Sequence, residues 1–220
     1  MKIEHIERTY LPPAGSNWAL PLYDPMVKLM GAEGVKRTLL SQATLQPDHR
    51  VLDVGCGTGT LATQIKQEYG VSEVIGLDPD AKALTRAVGK AVRAGVSVRF
   101  DRGYADELPY PDACFDRVFS SFMFHHLREE DRARALREAR RVLAPGGSLH
   151  MVDALRPETD SPSWWTRMLR SNPHLKDNAS SRVLMLMTEA GFSTAEQAGR
   201  TAILFGLVPV AFYKASAGKP

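Results

Sequence analysis

Residues 51–62 read VLDVGCGTGTLA, and this stretch decides the fold. An apolar run (Val51, Leu52, Val54) enters a turn with glycines at 55, 57 and 59, and helical periodicity starts at Thr60. Glycines remove side chains where the backbone bends sharply, so main-chain N–H groups and a helix start can face a polar ligand. Gly57, Gly59 and Ala62 also fit the G-x-G-x-x-G/A fingerprint, so the turn alone admits a nicotinamide enzyme. A second element, GLDPD at 76–80, puts Asp78 at the end of the next strand, about twenty residues on, where a carboxylate can accept from ribose hydroxyls. Jointly they point to a bound nucleoside. Either acid, Asp53 or Asp78, taken singly reads equally well as a strand-end carboxylate satisfied by turn amides. Cys56 reads as a small residue in a tight turn, with no basic partner beside it in sequence.

Outward from this stretch, short β-branched runs alternate with amphipathic helical patterns, the signature of βα units feeding a largely parallel sheet. Strands are expected at 50–54, 73–78, 96–101, 115–121 and 147–153, then a C-terminal pair near 193–200 and 210–215. Helices are expected at 60–69, 80–94, 128–143 and 180–190, stopped by Gly70, Gly95, the Pro145-Gly146-Gly147 turn and Gly191. Pro209 places the last strand's start at or after itself. The fold class is α/β: a Rossmann-like, doubly wound, mostly parallel sheet that ends in an antiparallel hairpin, with helices on both faces. Two stretches fall outside the rhythm. Residues 1–45 hold Tyr10, Trp18 and Tyr23 and read as an N-terminal cover segment; 46–220 read as the main domain, with 154–179, holding Trp164 and Trp165, as a second cover.

The bulk numbers exclude several classes. A net charge of +3 does not compel a nucleic-acid partner. The densest charged stretch, 128–141, mixes acids and arginines at helical spacing and reads as a solvated helix face. Two cysteines, Cys56 and Cys114, support neither a disulfide framework nor a thiolate metal site, and fit a reducing cytoplasm. The N-terminal MKIEHIERTY has no apolar run, and the apolar stretch 202–212 is broken by Gly206 and Pro209 and is too short to span a bilayer.

Asp53 ahead of the G-x-G-x-G turn, with ELPYPDACFDRVFSSFMFHHL at 107–127 and LREARRVLAPGGSLHMVD at 136–153, resembles the class I S-adenosylmethionine-dependent methyltransferases. Within them it is closest to the small-molecule branch that includes quinone C-methyltransferases and natural-product enzymes. The resemblance covers residues 51–153. It implies that Gly55, Cys56 and Gly57 lie against the methionine part of S-adenosylmethionine, with Asp53 near its amino group, and that Gly59 belongs to the same cofactor-binding turn. It further implies that Asp78 holds the ribose, that Leu77 and Pro79 flank the adenine, and that Ala105 and Asp106 lie at the ring's edge. Relatives often carry an acid after the glycine of this segment, where this chain has Tyr104. Tyr104 either stacks on the ring or is displaced, leaving Asp106 to accept from the exocyclic amine. Ser120 closes the cofactor set.

The acceptor side opens after the fourth strand, at SSFMFHHL (120–127). His125 and His126 are the candidate catalytic residues, since a histidine titrating near neutrality can take a proton from an O–H, N–H or C–H acceptor or orient it. Each also reads as a hydrogen-bonded structural histidine. Adjacent histidines rarely converge on one metal ion, and none is expected. Phe122, Met123, Phe124, Phe205, Tyr23 and Trp164 suggest an acceptor that is at least partly apolar. The expected partner is a small molecule, not a nucleic acid, with peripheral membrane contact if it is a lipid or quinone. The expected reaction is in-line methyl displacement. A nicotinamide-dependent oxidoreductase and a non-catalytic cofactor-binding protein are the alternatives.

Overall fold

The computed structural model describes residues 32–155, 179–204 and 206–218. The elements run α1 (Ala32–Ser41), β1 (Arg50–Val54), α2 (Thr60–Tyr69), β2 (Glu73–Asp78), α3 (Ala81–Arg93), β3 (Arg99–Arg102), β4 (Phe115–Ser121), a 3-10 turn (Phe124–His126), α4 (Glu129–Val142), β5 (Leu143–Ala154), α5 (Ser180–Glu189), β6 (Thr194–Ile203) and β7 (Val208–Ser216). They build one seven-stranded sheet, ordered β3-β2-β1-β4-β5-β7-β6. The five strands from β3 to β5 are parallel, and β7 runs antiparallel to both β5 and β6. This is the doubly wound sheet with a terminal antiparallel hairpin that the sequence predicts.

Alternation along each strand sends side chains to opposite faces. Leu52 and Val54 of β1, Val118 of β4 and Leu149 and Met151 of β5 pack with Leu136, Ala139 and Val142 of α4 and Val183, Leu186 and Met187 of α5. On the other face, Val51, Phe119 and Val152 meet Val35, Leu39 and Leu40 of α1 and Leu61, Ala62 and Ile65 of α2. Leu39 and Leu40 are fully buried, worth about 1.5–3 kcal/mol each. Of the N-terminal cover expected over 1–45, residues 1–31 lie outside the described residues, and the rest includes α1, which packs on the sheet through Val35, Leu39 and Leu40. Most of the second expected cover, 156–178, is likewise outside them.

Four element boundaries differ from expectation by two residues or more. Strand β3 starts at Arg99, not Val96: Gly95 takes φ +68° to end α3, and Val96 N–H still bonds back to Ala91 O at 3.1 Å. The Pro145-Gly146-Gly147 turn does not stop α4. It lies inside β5 as an irregularity, with pairing to β4 jumping from Phe115↔Leu143 to Arg117↔Ser148. A Cβ on Gly147 would come within 2.8 Å of Ala144 O, so only glycine fits that bend. Strand β6 reaches Ile203. Strand β7 begins before Pro209, which is tolerated because β5 pairing starts only at Ala154↔Val210, while the proline's carbonyl accepts Leu155 N–H at 2.8 Å.

Parallel strands end together, so Val54, Asp78, Ser121 and Ala154 share one rim. The loops leaving β1, β2 and β4 meet there.

Candidate active site

The glycine turn is built on that rim. Gly55 N–H and Cys56 N–H both donate to Leu77 O, at 2.8 and 3.0 Å, tying the turn to β2. Gly55 sits at φ +70°, and a Cβ there would lie 2.3 Å from Met123 Cγ. The position thus needs glycine for its backbone and for its neighbour. Gly57 has φ +54° with open space where a side chain would project. Helix α2 starts at Thr60 after Gly59 with no side-chain cap, so its first N–H groups are not claimed by a capping side chain. The turn is braced from below by Lys90 of α3, whose ammonium donates to Thr58 Oγ1 at 3.0 Å and to Thr60 Oγ1.

Asp53 lies under the turn, wholly buried, and neither carboxylate oxygen has a hydrogen-bond partner among the described residues. Burial pushes its acid up to about 7; the Lys36 ammonium of α1 opposes this, the Asp78 charge adds to it, and the backbone N–H of Ala62, short of a well-formed hydrogen bond, pulls weakly the other way. A buried acid without a well-formed hydrogen bond costs free energy that a ligand or water would return. Ser120 Oγ, at the end of β4, is also buried and unpartnered among the described residues.

Asp78 is better satisfied. Its Oδ2 accepts Gly57 N–H at 2.8 Å and its Oδ1 accepts Asp80 N–H at 2.9 Å. Burial raises its acid and these amides pull it back. An ionised carboxylate offers about four lone-pair sites, so both oxygens retain acceptor capacity. Both readings of Asp78 as a turn acid and as a ribose acceptor are compatible with this geometry.

The expected adenine-edge residues separate. Leu77 is 1% exposed and part of the core; Ala105 packs against the same core. Pro79 is half-buried and its carbonyl accepts from Arg102 Nε at 3.0 Å. Tyr104 is half-buried and forms an isolated bridge with Glu107. Asp106 Oδ2 accepts from Arg134 Nε of α4 at 3.3 Å.

On the acceptor side, the 3-10 turn brings His125 to the end of β5. His125 N–H donates to Asp153 Oδ2 at 2.7 Å, and the ring's Nδ1 pairs with Asp153 Oδ1. Asp153 is fully buried, and its Oδ1 also accepts Ala154 N–H at 2.8 Å. Burial pushes the His125 imidazole down, but the charge and hydrogen bond of Asp153 outweigh it, and the net direction is up; Arg132 opposes the rise. The rings of His125 and His126 lie 4.1 Å apart. Phe122 holds φ +54°, unusual for a bulky residue, with its N–H on Val152 O at 2.9 Å. Met123 packs on Gly55, so acceptor-side turn and glycine turn touch, while Phe124 is core, 2% exposed. Tyr23, Trp164 and Phe205 lie outside the described residues.

Sequence reading passes over two members. Asp153 looks like one more strand-end acid; only the β4–β5 pairing, Ser121↔Val152, puts it beside His125. Arg132 belongs to the stretch read as a solvated face, yet it is 4% exposed, a correction to that expectation.

The match to known proteins decides the class. The model of the family described as "Methyltransferase domain" matches residues 51–147. Residues 51–147, a little under half of the chain, are thus similar to a methyltransferase domain. The chain is 36% identical over 136 residues, 60% of its length and 56% of the relative's, to the demethylmenaquinone methyltransferase of Deinococcus radiodurans. It is 40% identical over 119 residues to the 27-O-demethylrifamycin SV methyltransferase of Amycolatopsis mediterranei, 53% of this chain and 43% of that one. The chain thus spans about half the length of these curated relatives. The YcgJ protein of Bacillus subtilis has the same fold, with a TM-score of 0.70 at 20% identity, over 86% of this chain and 99% of that one. The methyltransferase match leaves the nicotinamide alternative without support. Among the described residues, no helix is long and apolar enough to cross a membrane.

Proposed function

We propose that the protein transfers a methyl group from S-adenosylmethionine to a small, partly apolar acceptor, with His125 as general base oriented by Asp153. The observation that carries this reading is the unpartnered, buried Asp53 carboxylate under a glycine turn that itself touches the turn bearing the His125–Asp153 pair. The donor set fits the cofactor. Asp53 and the open turn amides suit its ammonium and carboxylate, Asp78 suits ribose hydroxyls, and Ser120 offers an unused hydroxyl. When bound, S-adenosylmethionine supplies a sulfonium-activated methyl carbon.

The chain's own work is to position, desolvate and take a proton. Asp153 accepts the Nδ1 proton of His125, which fixes the tautomer and leaves Nε2 as the basic nitrogen. A hydroxyl or hydroquinone acceptor placed against Nε2 would lose its proton to that nitrogen as the methyl left the sulfonium, with S-adenosylhomocysteine departing as a neutral thioether, and Asp153 would stabilise the resulting imidazolium. Phe122 and Met123, partly buried beside the glycine turn, would favour an apolar ring. The relatives' names, a demethylmenaquinone methyltransferase and a 27-O-demethylrifamycin SV methyltransferase, support a small acceptor that carries a quinone ring or a hydroxyl. The two free, buried thiols of Cys56 and Cys114 fit a cytoplasmic setting, with membrane contact only if the acceptor is lipid-borne.

The test is incubation with trideuteromethyl-labelled S-adenosylmethionine and a panel of demethylated prenyl naphthohydroquinones, catechols and phenolic polyketides, read by mass spectrometry. A labelled product that disappears in His125→Gln supports the proposal. Cofactor binding with no labelled product across the panel or a metabolite extract would favour the non-catalytic alternative.

A further inference from the structure

Arg132 is the one described arginine of the α4 charge cluster that the fold buries. A guanidinium taken out of water costs several kcal/mol unless its donors are met. It reaches into the turn that carries His125. Nε donates to Leu127 O at 3.0 Å, Nη2 donates to His125 O at 3.2 Å, and Cζ stands 5.5 Å over the Phe124 ring. Carbonyls at the end of a short helical turn have no partner within it, so the planar fork of an arginine caps them where a lysine could not span both.

His125 is therefore gripped from two sides. Its N–H and ring are held by Asp153 from β5, and its C=O is held by Arg132 from α4. We infer that Arg132 is a positioning residue for methyl transfer: it locks the peptide of His125 so that the imidazole stays on Asp153, and its charge balances that carboxylate to keep the ring available as a base. This rests on the reading of His125 and Asp153 given above. The charged and titratable groups facing His125 are Asp153 on β5, Arg132 on α4 and His126 in the turn itself. Asp153 drives the imidazole toward its protonated, inactive form and Arg132 drives it back. The arginine thus does two separable things, one geometric and one electrostatic.

Two substitutions separate them. Arg132→Met removes charge and fork; Arg132→Lys keeps the charge and loses the fork. The midpoint of the His125 Cε1–H resonance is followed by NMR titration of the full chain bound to S-adenosylhomocysteine, with the resonance assigned by its loss in His125→Gln. Arg132→Met is expected to move the midpoint up by about one pH unit, and Arg132→Lys to leave it close to wild type while still lowering turnover of whichever acceptor is labelled. If Arg132→Met does not fold, Arg132→Gln carries the same expectation. Asp153→Asn provides the control, lowering the midpoint. A midpoint that falls in Asp153→Asn but does not move in the neutral Arg132 variant overturns the inference about Arg132 alone. A midpoint insensitive to Asp153→Asn overturns the His125–Asp153 reading on which it stands.

Discussion

Asp53→Asn should make the cofactor-free protein more stable and a worse binder of its cofactor. The carboxyl of Asp53 is raised from 3.8 to about 7, first by burial. A folded-state value above the unfolded one means that the native state holds the proton more tightly. The group's contribution is then most favourable below about pH 4 and is lost as pH rises through about 7. A rise of roughly three units is worth about 4 kcal/mol at full ionisation. Asparagine has the same shape, never ionises and is as poorly partnered as the protonated acid. Its advantage should therefore be about 1 kcal/mol at pH 4.5 and grow to about 4 kcal/mol at pH 8. Urea unfolding across that range measures the difference directly, and calorimetry with S-adenosylhomocysteine measures the loss of affinity in the same variant. A stability gain that does not grow with pH, or unchanged affinity, would refute the assignment of Asp53 as an acid held in strain for a cationic ligand.

Gly55→Ala should cost about 2–5 kcal/mol, the sum of a left-handed backbone and overpacking on Met123, read by urea unfolding. His150, fully buried and driven down to about 3 by burial and then by the charges of Arg117 and Lys214, acts with the opposite sign to Asp53. Its folded value is depressed, so its stability is present above about pH 6.5 and lost as pH falls toward 3; His150→Phe should flatten the stability profile between pH 6.5 and about 4. His125→Gln should lower the methyl-transfer rate by about two orders of magnitude or more while leaving affinity for S-adenosylhomocysteine unchanged, checked by single-turnover kinetics and calorimetry.

The glycine turn and its flanking elements were legible because local chemistry dictates them: a β-branched run, glycines at left-handed positions and a periodic helix leave few alternatives. Helix α1 was not, since AEGVKRTLLS carries a glycine and no strong cap, and its formation rests on burying Leu39 and Leu40 against a sheet made later in the chain. The irregularity at Pro145 to Gly147 was read as a helix stop because proline and glycine signal a bend without saying which element contains it. In the candidate site, His125 could be named from its place at a strand end. Its partner could not, because Asp153 reaches it across two paired strands. Nor could Arg132, one of six arginines in a stretch whose pattern gives no sign that tertiary packing removes one from water. Asp106, expected at the adenine edge, also accepts from Arg134, a contact between a loop and a helix 28 positions apart that the sequence does not announce.

The most direct test is a calorimetric titration of the full chain with S-adenosylhomocysteine, run in parallel on Asp78→Ala. Saturable one-site binding by the wild type, lost or severely weakened in Asp78→Ala, is the expected result. No binding by the wild type, or equal binding by both proteins, would contradict a nucleoside site built from the glycine turn and the carboxylate that closes β2.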